Sequence, residues 1–458
     1  MSPPSRAWSG VCANITSSSR KPFYYLIWGA PRADARLVPP VIMRNRFKEP
    51  IFYGWWMVSA AFGMQFIQSG LLQQSFGAYV AVLSEELGWS KTALSGAAVI
   101  QQAEGALLGP IQGWFVDRFG PQGMIRAGVV IFGAGFIVLS QVDTLAGFYA
   151  AFVVVALGAG LCGFFALSVS IINWFERDRA RALSTMSLGF ALGGTLVPFV
   201  AWSLQAFGWR PTALASGVLI IAAGLPLSMV IRRRPEDHGE VVDGVRAAAS
   251  GVSVAGAPRR SAARDFTARE ALRTPAFWYI SLGHGFALFA VSAVMVHAIT
   301  HLKEGLGYSI GAASLAIGLT TLFQVVGILV SGVTGDRLDK RLLAAACMIF
   351  HMGGLLLLTY AVSLAMVVGF ALLHGLAWGL RGPLMQAIRA DYFGRTAIGM
   401  ITGLSSMIVL VGHMSGPLIA GVLADATGNY RAGFTVLALL SGLGSVFFLL
   451  AKPPGPPR

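Results

Sequence analysis

Apolar residues occur along this chain in long, nearly continuous runs separated by short polar segments. Because a helix needs about 20 mostly apolar residues to cross a hydrocarbon core of roughly 30 Å, each run is long enough to span a membrane. The runs do not alternate polar and apolar residues over about ten positions, as membrane β-strands do. We therefore predict an all-α membrane protein with twelve transmembrane helices. The predicted spans are residues 53–80, 92–116, 124–142, 145–174, 182–207, 212–231, 277–299, 310–335, 342–360, 364–393, 398–424 and 433–451.

The predicted spans form two groups of six, which divides the chain into four regions. Residues 1–50 are a tail rich in Pro, Ser and Arg that we expect to be disordered and cytoplasmic. Residues 51–231 form the N-terminal half, 232–275 a polar cytoplasmic linker, and 276–458 the C-terminal half with a short tail. Because Met43 opens a compact basic segment before the first span, we also predict that the mature protein starts there.

Composition and charge agree with a membrane protein and indicate its orientation. Hydrophobic residues make up 55% of the chain and charged residues 12%, whereas a soluble domain carries roughly 25% charged residues. Cytoplasmic loops are enriched in Lys and Arg, and 28 of the 34 Lys and Arg residues lie on the side of the two termini. We predict a multi-pass protein of the cell (inner) membrane with both termini in the cytoplasm. The basic residues are spread over many loops, so no nucleic-acid partner is expected.

A short charged string occurs twice, at the ends of the second and eighth predicted spans. The first copy contains Gly113, Asp117 and Arg118, and Gly332, Asp336 and Arg337 follow in the second copy, each at the same offset along the chain. Internal repeats of this kind are common in secondary transporters. The repeat predicts two pseudo-symmetric six-helix bundles.

The first copy, with Asp117, Arg118 and Gly120, resembles the loop signature of the major facilitator superfamily. The second copy departs from it, since Asp339 stands where the first has Gly120. Residues 51–56 and 416–430 resemble the monocarboxylate porter and oxalate/formate antiporter branch of that family. The resemblance implies the major facilitator fold, alternating access around a central site, and a protein that acts as a monomer.

The family resemblance also implies a role for the repeated string. It places the eleventh span opposite Asp117, where a carboxylate can meet the positive end of a helix. Such a contact would close the cytoplasmic side. We therefore expect a set of gating residues, with a simple topology anchor as the alternative. The gating set is Gly113, Asp117, Arg118, Asp336 and Arg337.

Two ionisable residues are predicted at mid-membrane depth, one in each half. Glu104 lies about 20 Å along its helix from Asp117, and Arg381 lies about 18 Å from Phe393. A buried guanidinium is a natural receptor for a carboxylate, and a desolvated Glu can carry a proton near neutral pH. We predict that Arg381 binds the substrate anion and Glu104 carries the proton. The alternative is that the two residues pair with each other and join the halves.

Further polar and aromatic residues are predicted to border the same volume. Monocarboxylate porters usually place an Arg in span eight where this chain has Ile328, so neutral hydrogen-bonding groups are expected to replace it. The predicted lining residues are Gln65, Gln68, Gln324, His374, Trp378 and His413.

These features together predict a secondary active transporter for a small organic anion, driven by protons or by an exchanged anion. The sequence contains no phosphate-binding loop for ATP, and we expect no catalytic residues, cofactor or metal site. Two alternatives remain open: an efflux carrier for amphipathic compounds, and a membrane sensor that does not transport.

Overall fold

Long helices separated by short turns make up the described part of the protein. A computed structural model describes residues 51–89, 93–94, 108–244 and 265–457, and those residues contain no β-strand. Ten helices within this part of the chain are long and apolar enough to cross a membrane. The helices are α1 (Tyr53–Gln68), α2 (Phe76–Leu87), α3 (Gly109–Phe119), α4 (Pro121–Leu139), α5 (Leu145–Cys162), α6 (Phe164–Trp174), α7 (Arg179–Leu192), α8 (Val197–Phe207), α9 (Trp209–Val230), α10 (Ala268–Leu272), α11 (Pro275–Leu306), α12 (Ile310–Thr334), α13 (Lys340–Thr359), α14 (Leu364–Phe393), α15 (Ile398–Thr427) and α16 (Arg431–Leu450).

The first two predicted spans correspond to the least regular part of the bundle. A π-helical turn at Ser69–Gln73 separates α1 from α2. Gly70 lies in this turn, where a Cβ atom would be 2.8 Å from the carbonyl oxygen of Gly193. The turn therefore brings two backbones together at a point where only glycine fits. Of the second predicted span, the structure describes residues 93–94 and the final segment, which belongs to α3.

The other ten predicted spans all coincide with helices, and most ends agree within three residues. The exception is α11, which continues seven residues beyond the predicted end at Ile299. The extension is half polar, but His301 and Leu302 are buried. It ends at Gly307, whose φ of 71° is a left-handed conformation that favours glycine.

Apolar residues are organised differently in the two halves. One continuous cluster fills the N-terminal half and includes Phe136 and Trp174. The C-terminal half has two clusters instead. One surrounds Phe277 and Phe393, and the other surrounds Phe370 and Phe434.

Candidate functional site

Asp117 joins the two halves at the end of α3. Its Oδ1 accepts a hydrogen bond from the amide of Gly399 at 2.9 Å, and its Oδ2 accepts one from the amide of Met400 at 2.8 Å. These amides belong to the first turn of α15, where helical N–H groups have no partner within the helix. Burial raises the pKa of Asp117 to about 6. We call this contact the N-terminal clamp.

Asp336 makes the equivalent contact in the opposite direction. It follows α12 and accepts hydrogen bonds from the amides of Ala180 and Arg181, at 2.8 and 2.9 Å, in the first turn of α7. Burial raises the pKa of Asp336 as well. We call this contact the C-terminal clamp, and we call the end of the bundle that carries both clamps the motif end. The partner amides of the two clamps are separated along the chain by the same offset as the two carboxylates.

The remaining predicted gating residues divide into one interface residue and two exposed ones. Gly113 packs against α15, where a Cβ atom would lie 2.6 Å from the carbonyl carbon of Gly399. Arg118 and Arg337 are exposed. The guanidinium of Arg118 lies over the ring of Trp114, 5.8 Å from its centroid.

The departure at Asp339 has a local structural reason. Gly120 has a φ of 85° before α4, a conformation that L-residues rarely adopt. Asp339 instead has a φ of −63° and accepts a hydrogen bond from the amide of Arg341 at 2.8 Å, which caps α13. The two copies thus begin the next helix by different means.

An ion triad also crosses between the halves at the motif end. Asp391 at the end of α14 pairs with Arg179 at the start of α7 and, at 2.9 Å, with Lys340. Arg179 is 3% exposed. Because an unpaired buried charge is costly, this triad favours contact between the halves.

Arg381 is buried in the interior of the C-terminal half, on α14, and is 2% exposed. Its Nε and Nη1 groups have no hydrogen-bond acceptor within the described ranges. It also forms no ion pair with any Asp or Glu that the structure describes. The site therefore presents a fixed cation with two unused donors.

Arg389 lies two turns further along the same helix and has different surroundings. Its Nη2 donates to Ser405 Oγ at 2.8 Å and to His284 Nδ1 at 3.0 Å, and its Nη1 donates to the Met385 carbonyl at 3.2 Å. Neutral acceptors from α11, α14 and α15 thus hold this guanidinium in place. Arg389 was not among the site residues predicted from the sequence.

His374 lies on the same helix as Arg381 but is directed toward α13. Its Nδ1 is 3.2 Å from the Nδ1 of His351, and both side chains are fully buried. His351 and His284 were not among the predicted site residues. A systematic search for polar residues near the centre of each span would have found His351.

The other predicted lining residues that the structure describes form no hydrogen bond with the Arg381 guanidinium. Gln65 is buried on α1, and its Nε2 has no partner in the described part of the chain. Gln68 donates from Nε2 to the Ala159 carbonyl at 3.0 Å, which joins α1 to α5. Gln324, Trp378 and His413 are partly buried. Glu104 lies outside the described residues.

The comparison with protein families agrees with this architecture. The family model of the Major Facilitator Superfamily matches residues 50–299 and 280–458. The chain belongs to the major facilitator superfamily.

Relatives within this superfamily include carriers of organic anions. Monocarboxylate transporter 13 of Bos taurus is 24% identical over 422 residues, which cover 89% of this chain and 92% of the relative. The oxalate:formate antiporter of Oxalobacter formigenes is 24% identical over 350 residues, or 74% of this chain and 78% of the relative. The crystal structure of the human organic anion transporter MFSD10 superposes with a TM-score of 0.65 at 16% identity and covers 87% of this chain and 100% of that one. This last similarity concerns the fold alone.

Membership in the major facilitator superfamily makes this chain a multi-pass membrane protein. The superfamily consists of transporters and not of enzymes. Within the described residues, no group of three His, Cys, Asp or Glu side chains could hold a metal ion.

Proposed function

We propose that this protein carries a small organic anion across the membrane by alternating access, coupled to protons or to an exchanged anion. The observation that supports this most directly is the buried guanidinium of Arg381 with its unused donors. An ionised group within a membrane protein is costly unless it is paired, and it usually marks a substrate or ion pathway. A carboxylate bound at Arg381 would supply the missing negative charge.

The geometry of a guanidinium favours a carboxylate over other ligands. Its donors form a planar fork that matches the two oxygens of a carboxylate. Nη1 and Nε of Arg381 both lack a partner within the described part of the chain, and each borders Nη2, with which it can form one such fork. Neutral groups such as the Gln65 amide would supply further hydrogen bonds to a polar substrate. The monocarboxylate and oxalate carriers among the relatives support the same substrate class.

The two clamps supply the conformational switch in this proposal. We place the motif end in the cytoplasm, as the distribution of Lys and Arg predicts. With both clamps formed, the cytoplasmic ends of the halves are held together. Opening toward the cytoplasm would then require Asp117 and Asp336 to leave the two helix N-termini, and water would replace the amide donors.

Glu104 is the candidate proton carrier that the sequence offers. The residue is predicted at mid-membrane depth, where desolvation favours the protonated acid. Its protonation would allow a proton to move with the anion. Exchange of one anion for another would use the same cation site without this step.

Transport in proteoliposomes tests the proposal. Labelled formate, oxalate, lactate and pyruvate would be supplied one at a time, with and without an imposed pH gradient. We expect saturable uptake of at least one of them. Arg381→Ala should lower kcat/KM about 100-fold, because two charge-assisted hydrogen bonds are lost. Arg381→Lys should retain the charge but not the fork, with about a tenfold loss.

Arg210→Ala provides the matched control. Arg210 is partly exposed and pairs with Asp143 on the surface, so its removal should leave uptake within about twofold of the wild type. All variants would be compared at equal amounts of purified, monodisperse protein. Normal uptake by Arg381→Ala, or uptake of none of the four anions, would contradict the proposed function.

A further inference from the structure

Two histidines from neighbouring helices meet near the centre of the C-terminal half. His351 lies on α13 and His374 on α14, and their Nδ1 atoms are 3.2 Å apart. Both side chains are 0% exposed. The contact lies about 16 Å along α13 from Lys340, roughly half-way across the bilayer.

The surroundings of this pair differ from an ordinary apolar core. The two apolar clusters of the C-terminal half meet at the level of the pair: on α13, Met348 belongs to one cluster and Leu355 to the other. The N-terminal half has a continuous cluster instead, and residues 51–231 contain no histidine. A buried histidine pair is thus particular to the half that carries Arg381.

The Nδ1 contact fixes the protonation pattern of the pair. One Nδ1 must donate and the other must accept, so the two rings cannot both carry a proton there. In the neutral pair, the donor ring then has a bare Nε2 lone pair, and the acceptor ring has an Nε2–H group. Both Nε2 atoms are buried without a partner among the described residues. The pair therefore has one vacant position that can accept a proton.

Arg381 is the charged group that acts on this pair. The three side chains are close enough to interact electrostatically, and Arg381 follows His374 by two helical turns on α14. Two titratable groups on the neighbouring helices interact with Arg381: Cys347 on α13 and His284 on α11. His297 and His301 lie further along α11, α12 has no titratable residue, and α16 has only Arg431 at its start.

We propose that the His351–His374 pair is the proton-binding site of this transporter and that it is filled together with the anion at Arg381. This inference rests on the proposed function. With the site empty, the positive charge of Arg381 opposes a second positive charge on the pair. A bound monocarboxylate such as formate, lactate or pyruvate adds one negative charge, and a proton on the vacant Nε2 adds one positive charge. The two ligands together leave the buried charge unchanged.

This arrangement makes anion binding and proton binding mutually favourable. The coupling is reciprocal, so a lower pH should tighten anion binding by the factor by which the anion tightens proton binding. Couplings between sites are typically about 5–150-fold. The sign predicts cotransport of the anion and the proton in the same direction.

Proton uptake during anion binding tests the assignment. Purified protein in weakly buffered detergent solution with a pH indicator would receive the monocarboxylate that shows the strongest counterflow among formate, lactate and pyruvate. The wild type should take up about one proton per bound anion. His374→Gln and His351→Asn should abolish this uptake and lower pH-driven accumulation at least about fivefold, while both variants still bind the anion at saturating concentration.

His301→Gln and Glu104→Gln are the comparison variants. His301 is buried near the C-terminal end of α11, where its Nε2 lies 3.0 Å from the Leu358 carbonyl. Its variant should therefore behave like the wild type. If proton uptake persists in both pair variants and disappears in Glu104→Gln, the assignment to the histidines is wrong. Loss of anion binding at saturating concentration in both pair variants also overturns it, because the pair would then act in anion binding.

These outcomes separate the inference from the proposed function. If anion binding depends on Arg381 and still brings one proton into the pair variants, only the assignment of the proton site to the histidines fails. If none of the four carboxylates binds to the wild type, the proposed function fails and this inference fails with it.

Discussion

The N-terminal and C-terminal clamps use the same carboxylate contact but are supported by different interactions. In each clamp, an Asp accepts hydrogen bonds from two amides at the start of a helix in the other half. Both acceptors and both pairs of donors keep the offset of the sequence repeat. This contact is therefore the part of the duplication that both copies retain.

Close backbone packing supports the N-terminal clamp. Gly109 and Gly113 on α3 face Gly399 and Gly403 on α15, and a Cβ at Gly403 would lie 2.6 Å from the carbonyl carbon of Gly109. Small residues let two helices approach closely within a membrane. The equivalent positions of the C-terminal clamp are Ile328, Gly332, Ala180 and Ser184.

Charge supports the C-terminal clamp. Arg179, Asp391 and Lys340 form their triad beside the start of α7. The residues at the equivalent positions of the other repeat are Ile398, Ile172 and Pro121, which cannot form ion pairs. One clamp thus depends on packing and the other on ion pairing, so substitutions and solution conditions should affect them differently.

The largest expected effect comes from Asp391→Asn. The substitution leaves the buried Arg179 beside Lys340 without their shared carboxylate. We expect the closed motif end to lose about 2 kcal/mol relative to the open one, or about a 30-fold change in their ratio. Spin labels at Phe119 and Leu338, which are exposed in opposite halves, would report a larger population at long distance.

Asp143→Asn is the matched control for the loss of a carboxylate. Its pair with Arg210 is largely exposed, so the substitution should leave the distance distribution unchanged. The labels would be placed in a variant without native cysteines. An unchanged distribution in Asp391→Asn would show that the triad does not hold the halves together.

Gly113→Ala should have the next largest effect, and it acts on the packing side of the comparison. The new Cβ would lie 2.8 Å from the Met400 Cα atom and closer still to Gly399, so the helices must separate. Overpacking of this kind costs about 1–3 kcal/mol. Gly332→Ala is the matched variant, because its Cβ would lie 3.3 Å from the Ser184 Cβ. Equal shifts of the spin-label distances in the two variants would contradict the proposed asymmetry.

The sequence predicted the helices and the repeated carboxylates because both depend on local patterns. Apolar run length places spans to within a few residues, and a duplicated motif keeps its spacing. It did not predict His351 beside His374, since that contact depends on how α13 and α14 rotate against each other. The triad was missed for the same reason: Arg179 and Asp391 are 212 residues apart in the chain and share no motif.

Removal of the clamp acceptors should have a smaller effect. Asp117→Ala leaves the amides of Gly399 and Met400 without their acceptor, and Asp336→Ala does the same for Ala180 and Arg181. Each should destabilise the closed motif end by about 1 kcal/mol, comparable to the loss of a helix cap. Because the sites share no partner, the double variant should show the sum of the two effects in the same distance measurement. If the double variant shifts the distances no more than either single variant does, one of the two clamps does not stabilise the closed motif end.

The smallest expected effect is a pH dependence that the N-terminal clamp should dominate. Burial raises the pKa of Asp117 to about 6 in the closed state, whereas an exposed Asp has a pKa near 3.9. The closed state therefore binds the proton more readily. The stabilisation of the closed state by this proton is complete below about pH 4 and is lost as the pH rises through about 6. Lowering the pH from 7 to 5 should favour the closed motif end by up to about 1 kcal/mol.

Asp117→Asn keeps a neutral acceptor at the same position, so it should hold the closed state at both pH values and remove most of this dependence. A full pH response in Asp117→Asn, with a loss in Asp336→Asn, would place the sensitive carboxyl in the C-terminal clamp instead.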